Sequence, residues 1–187
     1  KGPIIGQQMD RGLAAFPNPA KLVVIDEYGL ANVDDLATLA SGKPLEGSEL
    51  LISGRLDHLE RHRHRLEEAL KTLRETNTLR LYQFGIENLS DDVLLRYNKG
   101  IVFGEIEEAL RLIDKLDEKH ANLAVERSFG FILFDPWTSL EELRTNVRRA
   151  LRLGLDRYRG QAPFTSLRLL PEMALYWRAR AEGLLTG

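Results

Sequence analysis

The sequence predicts an α/β fold built on parallel strands. Three observations predict it. Apolar runs alternate with helically spaced apolar stripes about five times along the 187 residues. The first run, Lys21 to Asp26, is continuous in apolar character, as strands covered on both faces are. Each run ends in polar or charged residues, which parallel strands gather on one rim. Right-handed crossovers follow from such an alternation. Five strands are too few to close an eight-stranded barrel, so the sheet is an open layer or part of a barrel.

Residues 1–20 carry turn punctuation at Gly2-Pro3, Gly6 and Pro17-Asn18-Pro19, and read as a lead-in loop with a short helix around Arg11 to Phe16. Lys21 to Asp26 (KLVVID) is the first apolar run, with Asp26 and Glu27 at its tip. Asp34 to Ala40 is a short helix, Ser41 to Ser48 a Gly/Pro/Ser linker, and Glu49 to Ser53 a strand that delivers Arg55 and Asp57. Asp57 to Glu75 is a long charged helix with Leu59, Leu66, Leu70 and Leu73 on one side.

Leu79 to Ile86 is the next buried strand, and Gly104 to Lys119 a helix with Ile106, Leu110, Ile113 and Leu116 in one stripe. Asn122 to Phe134 is a long apolar strand interrupted by Glu126, Arg127 and Ser128. Thr138 caps the following helix with Glu141 at its third position, as in a capping box; that helix buries Leu140, Leu143, Val147 and Leu151 and stops near Gly154. Thr165 to Leu170 is a last strand, and Pro171 opens a final helix at its first position.

The stretch from Tyr82 to Gly100, YQFGIENLSDDVLLRYNKG, holds the sharpest change of pattern. A strand gives way to turn and capping residues Asn88, Ser90 and Asp91, and Val93, Leu94 and Tyr97 begin an amphipathic helix. Glu87 is left at the strand's carboxyl end, where parallel sheets place ligand-binding groups. With Asp26, Glu27, Arg55, Asp57, Asp135 and Arg168 at the other strand ends, the charged tips converge on one rim.

Composition bounds the rest. At 187 residues, residues 1–187 form one domain. A net charge of -2 gives no general pull toward nucleic acid or anionic membrane. No run is long enough to span a bilayer, and the start, KGPIIGQQMD, has neither an initiator Met nor a signal-peptide pattern, so it reads as an internal start of a cytoplasmic protein. Cys is absent, which excludes disulfides, thiol nucleophiles and thiolate metal sites within these residues.

Five segments, in order, resemble elements of radical S-adenosylmethionine (SAM) enzymes, and most closely the branch often associated with a cobalamin-binding domain. VVIDEYG resembles the second-strand segment, ISGRLDHL the third, FGIEN through RYNKG the fourth, FGFILFDPWTSLEEL the fifth and FTSLRLLPEMALY the sixth. The resemblance implies a partial (βα)6 TIM-like barrel whose first βα unit is missing from the chain, with five βα units over residues 21–187. Two turns depart from the family: Phe134-Asp135-Pro136-Trp137-Thr138 keeps only the Pro and Thr of its Pro-Gly-Glu-Thr, and Pro171-Glu172-Met173 replaces its Pro-Gly-Thr. The CxxxCxxC loop that holds the family's 4Fe-4S cluster belongs to the first unit and is missing too, so the cluster ligands would lie outside this chain and the chain alone would be inactive.

Carried over by position, the resemblance implies that Glu27 lies near the methionine amino group of SAM and that Arg55 contacts ribose or carboxylate. Glu87 would accept from the ribose hydroxyls, a suitable task for a two-oxygen acceptor facing a diol. Lys99 would pair with the methionine carboxylate, and Gly130 and Ile132 would flank the adenine. The implied cofactors are SAM, a 4Fe-4S cluster and, where a separate domain supplies it, cobalamin. The implied partners are a small-molecule or peptide substrate and an electron donor such as flavodoxin or ferredoxin. A chain without its first strand exposes a sheet edge, so a homodimer through that edge is expected.

Other signals are read as structural. Arg61-His62-Arg63-His64-Arg65 cannot form one cage, because neighbouring helical residues diverge. His58 and His62 share a face, but Leu59 stands where HExxH has its glutamate, and no metal site is assigned. Arg144, Arg148, Arg149, Arg152, Arg157 and Arg159 read as a charged outer face and not a nucleic-acid surface, since only 7% of residues are aromatic and none cluster for stacking. Trp137 and Trp177 line a cavity or pack in the core. The first reading is therefore the catalytic barrel of a radical SAM enzyme, which generates a 5′-deoxyadenosyl radical. The alternatives are a non-catalytic α/β scaffold or partner-binding module that has lost the cluster, and a TIM-barrel fragment using its acidic rim for a metal.

Overall fold

The computed structural model describes residues 2–24, 26, 28–42, 45–73, 77–126, 129–155 and 165–185. It is an α/β structure, and among the described residues every strand pair is parallel. The chain forms two compact units, Lys1–Phe84 with Glu108–Arg127, and Gly85–Glu107 with Ser128–Gly187.

The first unit begins with α1 (Gly2–Ala15), a helix far longer than the short one expected there. Pro3 falls in its first turn, where a missing N–H removes no helical bond, so the Gly2-Pro3 punctuation does not break it. The sheet holds β1 (Lys21–Val24), β2 (Glu49–Ile52), β3 (Thr78–Leu81) and β5 (Leu123–Val125) in that order. Lys21 stands opposite Glu49, Ile52 opposite Leu81 and Leu81 opposite Val125.

Leu50, Ile52, Leu79 and Leu81 are buried in that sheet. Helix α2 (Val33–Ala40) packs on α4 (Arg63–Leu73), and both bury small and branched residues: Leu36, Ala37 and Ala40 on one, Leu66, Ala69, Leu70 and Leu73 on the other. The predicted long helix from Asp57 is split into α3 (Asp57–Arg61) and α4, because His62 leaves helical geometry at φ -111°. At the amino end of the strands Glu49 accepts from Arg80 at 2.6 Å and faces Lys21 at 3.4 Å, and the Arg80 bond holds its carboxyl below the usual range.

The predicted strand 79–86 is broken. β3 ends at Leu81, Gln83 turns the backbone to φ 50°, and a separate strand β4 (Gly85–Glu87) follows. Apolar residues on both sides of Gln83 hid this break, since Leu81, Phe84 and Ile86 are all buried. The single long strand expected over 122–134 is instead two short ones in different sheets, β5 and β6 (Gly130–Phe131), while Arg127 and Ser128 lie outside the described residues.

The second unit pairs β4 with β6, Gly85 opposite Gly130 and Glu87 opposite Phe131. It adds α5 (Asp91–Arg96), the first turn of α6 (Phe103–Lys119), α7 (Leu140–Arg152) and α8 (Ala174–Ala181). The last strand, expected over 165–170, is reduced to one parallel bridge between Phe134 and Ser166. Pro171 is not the first residue of α8; it lies in the turn before it, and Met173 is the N-cap.

Helix α7 differs most from expectation. Thr138 is not its cap, because the Thr138 hydroxyl already accepts the Asp135 N–H at 2.7 Å. Ser139 caps instead, with Glu142 completing a reciprocal capping box. The helix also faces largely the other way: Leu140, Val147 and Leu151 are exposed and Leu143 is half-buried, while Glu142 and Asn146 are buried. The reason is long-range. Asn146 accepts the Leu89 N–H at 2.8 Å and Glu142 meets Arg96, so the polar face has partners that the apolar stripe lacks. Leu151→Gln is accordingly expected to change unfolding free energy by no more than about 0.5 kcal/mol, and Asn146→Ala to cost about 1–3 kcal/mol. Urea unfolding followed by circular dichroism decides; a large loss from Leu151→Gln would mean that this face is covered.

Candidate functional site

The end of β4 is held by a dense set of bonds. The Glu87 carbonyl accepts the Ile132 N–H at 2.6 Å, and the Asn88 amide donates to the Ile132 carbonyl at 2.7 Å. Asn88 Oδ1 accepts the Ser90 N–H at 2.8 Å, which closes an Asx turn into α5. Ser90 itself caps by backbone position only, with no side-chain bond. Arg149 donates to the Leu89 carbonyl at 2.5 Å and to Asp91 at 2.9 Å, and stacks its guanidinium 4.1 Å from the centre of the Phe103 ring.

Glu87 sits at φ 66°, left-handed backbone that a residue with a Cβ adopts at a cost. Its Oε1 accepts from Lys99 Nζ at 2.8 Å, and the two side chains are 23% and 29% exposed, so the pair is screened from water without being sealed. Lys99 arrives there through the end of α5. The Asn98 N–H donates to Leu95 and the Lys99 N–H to Leu94, a Schellman closure with Asn98 in the left-handed position at φ 53°.

Behind this pair lies a nearly dry charge cluster. Arg96 donates to Asp135 at 2.7 Å and to Glu142, with Asp135 fully buried. Burial alone would raise both carboxyls. For Asp135, hydrogen bonds from Arg96 and the Trp137 N–H outweigh it; for Glu142, those from the Ser139 N–H and Arg96 do, and both are held below their usual range. Burial, and then the neighbouring Asp135 carboxylate, push the Tyr97 phenol well above its ordinary value.

Of the six residues expected at a site, the second unit brings four together. Glu87 and Lys99 are ion-paired, Gly130 lies across the strand pair from Gly85, and Ile132 makes its backbone bond to Glu87. Arg55 belongs to the first unit, where Asp57 engages it with two bonds at 2.9 and 3.2 Å. Glu27 lies outside the described residues. Within the first unit Arg55 does not line the apolar groove of about 720 Å³ that α1 and β1 flank with Met9, Leu13, Phe16, Leu22 and Val24.

The turn role expected of Asn88 is present, and sequence reasoning missed Asn98 and Asn146. A signal existed for Asn98, since Asn before Lys-Gly at a helix end is a left-handed capping pattern. His58 stacks on Tyr28 at 5.3 Å and meets His62 edge-on at 5.8 Å, and among the described residues no three His, Cys, Asp or Glu side chains form a metal-holding group. The described residues also include no helix long and apolar enough to cross a membrane.

No protein-family model matches this sequence, and no curated protein matches it. Solved structures of the cobalamin-dependent S-adenosylmethionine radical enzyme OxsB are similar in fold. The form with aqua-cobalamin bound has a TM-score of 0.68 at 17% identity, covering 98% of this chain and 32% of OxsB. The form with both aqua-cobalamin and SAM has 0.60 at 19%, covering 98% and 26%, and the apo form 0.63 at 15%, covering 97% and 31%. This chain thus spans about a third of OxsB or less, and at these identities the likeness is one of fold.

Proposed function

We propose that this chain is the SAM-holding part of a partial barrel in a radical SAM enzyme of the cobalamin-associated kind. The observation that carries the reading is the Glu87–Lys99 pair, a strained carboxylate and an ammonium at the end of a parallel strand, in a fold similar to that of OxsB. Backbone strain that persists in a folded chain often marks a site. Glu87 accepts hydrogen bonds from the ribose hydroxyls, and Lys99 supplies the charge for the methionine carboxylate. The Gly130 and Ile132 backbone, next to Glu87, lies along the adenine.

The residues present suit the nucleoside and amino-acid parts of SAM. They do not suit the cluster: with no Cys in 187 residues, thiolate ligands would come from outside this chain. Bound SAM supplies hydrogen-abstracting chemistry in this family; this chain's residues bind it, orient it and limit its contact with water. The alternative, a scaffold without catalysis, predicts no SAM binding.

Calorimetric titration of the chain separates the two. SAM binding is expected, with Lys99→Ala weakening it about 10- to 100-fold. Glu87→Ala should weaken adenosine but spare methionine, and Lys99→Ala the reverse. A folded chain that ignores millimolar SAM overturns the reading.

A further inference from the structure

We infer that Gly85 and Asn98 are the positioning residues of the Glu87–Lys99 site: Gly85 leaves the space into which the Glu87 carboxylate folds, and Asn98 makes the turn that aims Lys99 at it. The inference rests on the proposed reading of that pair as ligand-holding. In a strand, side chains two apart share a face. The left-handed backbone at Glu87 turns its side chain back over residue 85. A Cβ built on Gly85 would stand 2.6 Å from Glu87 Oε1, 3.3 Å from its Cδ and 3.7 Å from its Cγ. The atom met first is the same oxygen that accepts from Lys99.

That geometry separates folding from positioning. Of the three nearest atoms, each belongs to the Glu87 side chain and none to the backbone. Gly85→Ala can therefore be accommodated by swinging a flexible carboxylate aside, which leaves the strand in place and moves the functional group. Gly130, across the pair, would remain at ordinary contact, 3.5 Å from Gly85 Cα if it carried a Cβ. Ile86, between Gly85 and Glu87, keeps its buried place in either case.

On the other side of the site, Lys99 follows a residue at φ 53° and precedes Gly100 at φ 65°. Asn and Gly take that conformation readily, and a β-branched residue does not. Of the two bonds that close the helix end, the one from the Lys99 N–H to Leu94 depends on it, since the dihedrals of Asn98 place that N–H. Loss of the left-handed turn would extend the chain past Leu94 and carry the ammonium away from Glu87. Asn98 thus acts through Lys99, as Gly85 acts through Glu87.

The test uses the full chain with SAM titrations and, without ligand, the ¹H–¹⁵N resonance of the Lys99 ammonium. Gly85→Ala is expected to weaken SAM about tenfold, with an unfolding midpoint near that of the parent. In a Glu87→Ala background it should weaken binding no further, because the colliding oxygen is gone. Asn98→Gly should bind as the parent does, and Asn98→Val about fivefold or more weakly. Additive losses from Gly85→Ala and Glu87→Ala, or equal losses from Asn98→Gly and Asn98→Val, would overturn the inference. If the parent binds no SAM, the proposed function fails by itself. The ammonium resonance then judges the positioning: Gly85→Ala must shift it as Glu87→Ala does, and an unchanged resonance sinks the idea.

Discussion

Arg96→Met is expected to remove about 3–5 kcal/mol of stability, the range for deleting one partner of a buried ion pair. Arg96 donates to both Asp135 and Glu142, whose side chains are 0% and 10% exposed. Methionine fills much of the same volume, so the loss comes from charge and not from a cavity. The Asp135 carboxylate keeps its bonds from the Trp137 N–H and the Thr138 hydroxyl, and Glu142 keeps the Ser139 N–H, but neither retains a cation. Chemical unfolding at neutral pH measures the effect; a loss under about 1 kcal/mol would mean the cluster is solvated as a surface pair is.

The same cluster predicts a pH dependence with a definite sign. In the parent both carboxyls are held below their ordinary values of 3.8 and 4.5. A depressed native value gives stability that is present above the unfolded value and lost as pH falls through the native one. The parent should therefore keep this contribution at neutral pH and lose it only below about pH 4.5, going down. In Arg96→Met, burial acts without its opposing cation, so the native carboxyl values rise above the parent's. The gap between the two proteins should then narrow on acidification. A gap that is constant from neutral pH to pH 4 would show that Arg96 acts by packing alone.

Much of this arrangement was legible in the residues. Parallel α/β architecture followed from runs such as KLVV and ELLI, and Glu87 at a strand end from its strand-turn-helix stretch, whereas the bond between Lys99 and Glu87 themselves was not read there. What was not legible depends on partners distant in sequence. The apolar stripe of α7 points outward because Arg96, 46 residues before Glu142, and Leu89, 57 before Asn146, need its polar face. The break at Gln83 was masked by buried Leu81, Phe84 and Ile86 around it, so one polar residue read as part of a strand and not as its end. The cap moved from Thr138 to Ser139 because a turn hydrogen bond from Asp135 used the threonine hydroxyl first.

Phe84→Ala is the other large effect, expected to cost about 3–5 kcal/mol. Phe84 is 2% exposed and follows the left-handed Gln83, at the point where β3 has ended. Its ring lies against Gly54: a Cβ there would sit 3.4 and 3.5 Å from the ring's Cε1 and Cζ, and 3.7 Å from Leu30. Those distances are ordinary contacts, so Gly54→Ala should be tolerated in the parent. In the Phe84→Ala background the ring's space is empty, and the same added methyl should recover part of the loss, because residual cavity volume sets much of the cost. Phe84→Leu, which removes less volume, should fall well below Phe84→Ala. Thermal unfolding of the four proteins of this cycle reads the coupling. If Gly54→Ala lowers stability equally in both backgrounds, the ring is not what occupies the space beside Gly54, and the burial of Phe84 must be explained by other neighbours.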